Sequence, residues 1–245
     1  MNRITVTMPY YDSPQMLAEH LKQWRHYPYP ITDNVKAVIV DDGSPNYPAV
    51  DVFRKEALPD FPVELYRIKE NIPWNHGGAR NLAFTHIKDG WVVSTDMDHV
   101  MPVLSALELL RAALDPGTVY YPERYAQRPE IGAEKIHTHI DSFILTPQMY
   151  WRIGGFDESL SGFWNGCPRP FRRAVRKRAK TADLPGVFLL RYGADIVKDA
   201  SVTKWGREGS EYDIKNNPAM SKRQKEAMRN YQPEKPLRFT WERQM

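Results

Sequence analysis

Trp91-Val92-Val93-Ser94-Thr95-Asp96-Met97-Asp98-His99 is a short apolar run that stops abruptly on two carboxylates one residue apart. A run of this length and composition predicts a buried strand. Its end then presents both acids at the edge of a sheet. Hard anionic oxygens in that arrangement suit Mg²⁺ or Mn²⁺, and a divalent ion held by only two side chains keeps positions open for water or phosphate oxygens. By itself Asp-x-Asp is weak, because it recurs by chance in solvated loops. Its meaning depends on what the neighbouring strands bring to the same edge.

Upstream, Ile4-Thr5-Val6-Thr7-Met8 is a β-rich run stopped by Pro9, and Pro14 to Trp24 carries apolar residues at helical spacing. Val35 to Val40 predicts a second strand, closed by Asp41-Asp42-Gly43-Ser44, where Gly supplies turn freedom. Val63 to Ile68 predicts a third, and Gly77 to His86 a helix leading to the strand at Trp91. Strands alternating with helices describe an open, mostly parallel α/β sheet flanked by helices. Ligands bind such sheets outside the carboxyl ends of the strands. Pro9-Tyr10-Tyr11, Asp41-Asp42, Asn71 to Arg80 and Asp96-Met97-Asp98 all follow strands, so one rim is expected to collect them. An aromatic pair, acidic pairs, an Arg and a cation site are what a nucleoside diphosphate needs.

In this order and at these intervals, residues 4–99 resemble the nucleotide-binding half of the GT-A glycosyltransferases, especially family 2. Met8-Pro9-Tyr10-Tyr11, Val40-Asp41-Asp42-Gly43-Ser44, Asn71, Gly77-Gly78-Ala79-Arg80-Asn81 and Asp96-Met97-Asp98 carry the resemblance. It implies a nucleotide-sugar donor, UDP by default, with Mn²⁺ or Mg²⁺ as cofactor. Pro9, Tyr10, Tyr11, Asp41 or Asp42, Asn71, Gly77, Arg80 and Asp96 would lie around the nucleotide sugar, and Asp98, aided by Asp96, would hold the metal. Trp74, in the loop before Gly77, either stacks on the base or plugs the loop against the core; His76 is given no role.

The second half fits less completely. A helix is expected over Val103 to Leu114, a strand at Val119-Tyr120-Tyr121, a polar passage to Lys135 and a strand at Val187 to Tyr192. Gly154-Gly155-Phe156-Asp157-Glu158 is similar to the family 2 element that lines the acceptor side. The family usually follows it with an acidic residue that deprotonates the acceptor hydroxyl. Here Gly162 to Arg173 contains no carboxylate. An inverting transfer needs a base within hydrogen-bond reach, which leaves three readings in order: a relocated base, with Asp157, Glu158 and Asp199 as candidates; retention assisted by a donor phosphate oxygen; or lost activity. Many GT-A enzymes complete the metal shell with a late His. No His follows His139, so Asp199 is the candidate third ligand, with Asp195 second.

From Arg169 to Lys180 the chain is strongly basic, and helical spacing puts Arg172, Arg173, Arg176, Lys177 and Lys180 on a broad face. A solvated helix is the ordinary explanation of such a run. Next to Phe163 and Trp164 it also suggests a polyanionic acceptor bound by Trp164, Arg169, Arg172, Arg173 and Arg176, through phosphate contacts and base stacking. DNA carrying a hydroxymethylated pyrimidine, as some bacteriophages decorate, is one form; an anionic glycan or a lipid-linked pyrophosphate is another. A nucleotide-sugar or nucleic-acid binding protein without chemistry is the reading of a different class.

Size and composition bound the rest. The 245 residues allow one good core. One GT-A domain is expected over 1–205, divided into a nucleotide-sugar-binding half at 1–101 and an acceptor half at 102–205, with a basic helix and tail at 206–245. Trp205, Phe239 and Trp241 predict that the tail packs back on the domain. The single Cys167 excludes an intrachain disulfide and a thiolate zinc cluster. No apolar run reaches membrane-spanning length and Met1-Asn2-Arg3 opens no signal peptide, so a cytoplasmic protein is expected, in a bacterial host cell if phage-encoded. The net charge of +4 favours an anionic partner. Oligomeric state is not legible.

Overall fold

The computed structural model describes residues 1–233 and 236–245. In chain order the elements are β1 (Ile4–Tyr10), α1 (Pro14–Trp24), α2 (Ile31–Asn34), β2 (Val35–Asp41), α3 (Ala49–Lys55), β3 (Val63–Ile68), α4 (His76–His86), β4 (Trp91–Ser94), β5 (His99–Val100) and α5 (Val103–Arg111). There follow β6 (Thr118–Arg128), β7 (Gly132–Ile136), β8 (Phe143–Leu145), α6 (Pro147–Ile153), α7 (Pro168–Arg178), β9 (Lys180–Arg191), α8 (Pro218–Arg229) and β10 (Trp241–Arg243).

These strands form one sheet in the order β10-β3-β2-β1-β4-β8-β6-β9-β5, with β7 beside β6. The block β3-β2-β1-β4 is parallel throughout. Its alternating residues separate onto two faces, as period-two geometry requires. Ala37 and Ile39 join the core under α1, α3 and α5, whereas Val38 and Val40 join the core under α4, α6 and α7. With helices on both faces, the central strands read as near-continuous apolar runs. In α1, Met16, Leu17, Leu21 and Trp24 make the buried stripe. Its first turn is closed from far along the chain, because the Asp199 carboxylate accepts from Gln15 N at 2.7 Å and Met16 N at 2.9 Å.

The parallel register aligns the strand ends. Tyr10 pairs with Asp41, and Thr7 with Ser94, so Tyr11, Asp42 and Asp96 emerge along one edge. The turn after β2 needs glycine: at Gly43, φ is +74° and an added Cβ would stand 2.3 Å from the Glu70 carbonyl oxygen.

The second half differs from the sequence expectation chiefly in the β6–β7 hairpin and in β9. The passage after Tyr121 is not irregular: β6 continues to Arg128 and turns back through β7 as a hairpin. The residues of β7 are almost all exposed, so no apolar alternation marked it. Strand β9 begins at Lys180 rather than Val187, running parallel to β6 with a register shift at Pro122/Glu123. Among the described residues no helix is long and apolar enough to cross a membrane.

The C-terminal segment is continuous with this framework. Tyr231 Oη donates to the Gly155 carbonyl at 2.6 Å, Phe239 is buried, and β10 pairs antiparallel with β3, Trp241 opposite Ile68. The clamp is Glu158. Its carboxylate accepts from Leu237 N at 2.8 Å, Arg238 N at 3.0 Å and Asn81 Nδ2 at 2.7 Å. Replacing Glu158 by Ala removes three hydrogen bonds to one buried anion and is expected to cost about 2–3 kcal/mol. Urea unfolding measures the loss, and hydrogen exchange at the Leu237 and Arg238 amides should accelerate before the rest of the sheet.

Candidate active site

The rim of the parallel strands opens on a cavity of about 450 Å³. Pro9 and Tyr11 from the end of β1, Asp42 from the end of β2, and Asp96 and Asp98 from the end of β4 all line it. Tyr11 is held by its hydroxyl, which donates to Asn71 Oδ1 at 3.2 Å, with the Lys204 ammonium 5.7 Å from its ring centroid. The loop from Ala200 to Arg207 closes the opposite wall, and Trp74 Nε1 reaches across to donate to the Gly206 carbonyl at 3.2 Å. Trp74 is thus in the wall of the cavity, not a plug of the core.

The acidic pair is organised from behind. Arg80, fully buried in α4, donates to Asp96 Oδ1, to the Thr95 carbonyl at 3.2 Å and to Ser94 Oγ at 3.3 Å. Burial works to raise the Asp96 carboxyl, but Arg80 foremost, with the nearby imidazoles, outweighs it and holds Asp96 well below the usual carboxylate range. Asp98 is oriented differently. His99 Nδ1 stands 2.6 Å from Asp98 Oδ1, while His99 Nε2 accepts from Arg124 Nε at 2.7 Å. Because Nε2 accepts, the proton is on Nδ1 and donates to Asp98. Arg191 Nε completes the setting at 3.4 Å from Asp98 Oδ2.

Whether this pair fits a divalent cation can be judged from its donors. Both carboxylates are hard oxygen ligands facing the cavity, and among the described residues no group of three His, Cys, Asp or Glu is placed to enclose a cation. The arrangement fits an ion that takes its remaining ligands from a diphosphate and water.

Several expected site residues lie elsewhere. Asp41 is fully buried in its turn, accepting from Ser44 N at 2.8 Å and Ala49 N at 2.9 Å, so Asp42 alone of that pair reaches the cavity. Tyr10 is buried and donates to the Tyr47 carbonyl. Asn71 acts through Tyr11, and Gly77 packs the start of α4 against Phe156 and Cys167. Asp199 is not brought to Asp98, because it caps α1.

The two candidate bases are also withdrawn from the cavity. Asp157 is buried and accepts from Ser159 N, Ser159 Oγ and Arg223 Nη2, at 3.1, 2.6 and 3.0 Å, and Glu158 holds the tail. Of the acceptor residues, Trp164 lines the cavity, whereas Arg169, Arg172, Arg173 and Arg176 on α7 do not. The cations that do line it are Arg124, Arg191 and Arg207. These arginines, together with His139 and Asp141, were missed in sequence, whereas Asn75 and His76 fall in the Asn71 to Arg80 stretch expected at the rim. Arg124 lies in the hairpin read as a polar passage, and only the sheet order brings it to His99.

Asp42 is the carboxylate most altered by its surroundings on the nucleoside side. Burial, reinforced by Asp41, pushes it up to about 7, against an Asn75 Nδ2 hydrogen bond at 2.8 Å and the Arg80 charge.

Residues 5–194 match the family described as Glycosyl transferase family 2. No curated protein matches the chain in sequence. Among solved structures, the S. aureus TarS fragment 1-349 in complex with UDP-GlcNAc is similar at a TM-score of 0.64 and 14% identity, over 95% of this chain and 68% of that one. Mannosyltransferase PcManGT from Pyrobaculum calidifontis, in complex with GDP-Man and Mn²⁺, aligns at a TM-score of 0.57 and 21% identity over 78% of this chain. GalNAc-T7 with UDP, GalNAc and Mn²⁺ aligns at a TM-score of 0.59 and 14% identity over 91% of this chain. The chain spans about half the length of the last two, 56% and 48%.

The Asp42 environment has a consequence for stability. Unfolded, the carboxyl releases its proton near its ordinary value of 3.8; folded, it keeps it to about 7. Between these limits the folded state binds more protons, so its contribution to stability falls as pH rises. Asp42→Asn should therefore stabilise the protein relative to wild type above about pH 7 and give no gain near pH 4, as read from urea midpoints across the range.

Proposed function

The chain belongs to glycosyl transferase family 2 and has the GT-A fold, and from that premise we propose that it transfers a sugar from a nucleotide-sugar donor to a hydroxyl acceptor. The observation that carries the reading is the convergence of Tyr11, Asp42, Asp96 and Asp98 on one cavity at the carboxyl ends of β1, β2 and β4. Tyr11 offers a ring face to the base, and Asp42 an acceptor for a base N–H or a ribose hydroxyl. UDP is the default nucleotide.

Asp96 and Asp98 would hold Mn²⁺ or Mg²⁺ against the donor, where the ion supplies Lewis-acid stabilisation of the diphosphate leaving group. Arg80 keeps Asp96 ionised, and the Arg124–His99 relay fixes the face that Asp98 presents. Arg191 and Arg207 bring further positive charge to the same cavity. Preorganised charge of this kind lowers the barrier only if it meets charge that develops during transfer, and the departing diphosphate is that charge.

For the acceptor we infer an anionic class. Arg124 meets no carboxylate at ion-pair distance among the described residues, and Arg207 donates to Ser201 Oγ at 3.0 Å. Their charge is therefore available to a phosphate or carboxylate on the incoming molecule. Hydroxymethylpyrimidine DNA, anionic glycans and lipid-linked pyrophosphates are the candidates that carry such groups. The basic face of α7 lies outside the cavity and would at most hold a long polyanion at a distance.

The test is a panel of UDP-, GDP- and TDP-sugars with and without Mn²⁺, followed by release of free nucleotide. Metal-dependent release is expected with one of them, and Asp98→Asn should reduce it by about 100-fold or more; thermal stabilisation by a nucleotide with no release would instead identify a binding protein. With an anionic acceptor, turnover should fall steeply as salt rises; turnover on a neutral acceptor that ignores salt would refute the acceptor class.

A further inference from the structure

The family's acceptor-side acid is missing from Gly162 to Arg173, and the nearby carboxylates of Asp157 and Glu158 are consumed by packing. The cavity nevertheless holds a carboxylate that none of these considerations uses. Asp141, in the turn before β8, lines the same cavity as Trp164, Asn165 and Pro168, from the segment where the acid would have stood. It is 7% exposed.

What separates Asp141 from the other acids of the cavity is its lack of a donor. Asp42 accepts from Asn75, Asp96 from Arg80, and Asp98 from His99. Among the described residues no hydrogen bond reaches either oxygen of Asp141. His76 Nε2 stands 4.0 Å from Oδ2 and is itself buried without a hydrogen-bond partner. The Asp141 carboxylate is thus open to the cavity on one side, where an acceptor hydroxyl can donate to it, and backed by the His76 ring on another.

We propose, resting on the glycosyl-transfer reading, that Asp141 is the general base of an inverting transfer, a carboxylate relocated in sequence but retained in the cavity. The acceptor O–H proton passes to an Asp141 oxygen as the hydroxyl oxygen's electron pair forms the new bond to the anomeric carbon. The bond from that carbon to the diphosphate oxygen breaks, and its electron pair leaves with the diphosphate. His76 backs the carboxylate, its Nε2 4.0 Å from Oδ2. The surroundings suit a proton acceptor, since burial pushes the Asp141 carboxyl well above the usual carboxylate range, against the Arg80 charge. A base works best with its affinity near the working pH. His76, pushed down to about 4 by burial, stays neutral and adds no competing charge.

The experiment compares wild type with Asp141→Asn, using UDP-GlcNAc and Mn²⁺ with two nucleophiles: water, which must lose a proton, and azide, which has none to lose. Should another donor win the panel above, it replaces UDP-GlcNAc. The variant is expected to release UDP to water about 100-fold more slowly or worse, to show the wild-type thermal shift with UDP, and to make glycosyl azide within about threefold of wild type, with the anomeric configuration inverted. Hydrolysis unchanged in the variant, an equal loss with azide, or a product of retained configuration would each overturn the inference. Wild type that releases nucleotide from no donor would instead remove the glycosyl-transfer reading, and the inference with it.

Discussion

The site depends on one buried guanidinium. Arg80 projects from α4 beneath the end of β4 and reaches Ser94, Thr95, Asp96 and, at 3.5 Å, the Asp141 carbonyl. A charge taken out of water is tolerated only when its donors are filled, and here the partners come from both β4 and the turn before β8. The same contact thus keeps Asp96 ionised and sets the backbone that carries Asp141. The Phe156 ring, 5.7 Å from the guanidinium carbon, closes the apolar side. Satisfying this one cation correctly requires the antiparallel pairing of β4 with β8 as well as the parallel pairing of β1 with β4.

The parallel half was legible because its signals are local. Apolar runs of strand length with carboxylates just beyond, and a Pro or Gly where β1 and β2 stop, specify β1, β2, β3 and β4 and the rim they share. That rule places Tyr11, Asp42, Asp96 and Asp98 on the rim, but it places Tyr10 and Asp41 there as well, which the structure buries. In the second half the signals are not local. Strand β7 is exposed, and β9 pairs only once β6 is in place. Hairpin residues such as Arg124 reach the site through sheet order, which no window of sequence contains.

The errors among the acids have a common cause. Asp157, Glu158 and Asp199 each stand at a segment boundary with chemistry in reach by motif logic, and each is spent on backbone or side-chain donors instead. Asp199 closes the first turn of α1, Asp157 caps the turn at Ser159, and Glu158 binds the returning tail. A carboxylate at a turn or helix start is favoured for these structural reasons regardless of function. Sequence reports the residue type but not whether its lone pairs are already taken.

That distinction gives a general test for function among buried acids. A carboxylate engaged by backbone N–H groups is explained by the fold, and its desolvation is offset where it stands. Asp141 has no such offset. Its oxygens open on the cavity instead, and Arg80 is already committed to Asp96. An apolar side chain at position 141 would leave the Arg80 contact intact, because the contact is to the main-chain carbonyl. The fold does not need a carboxylate there. What accounts for one is what enters the cavity, beside an imidazole whose Nε2 has no partner.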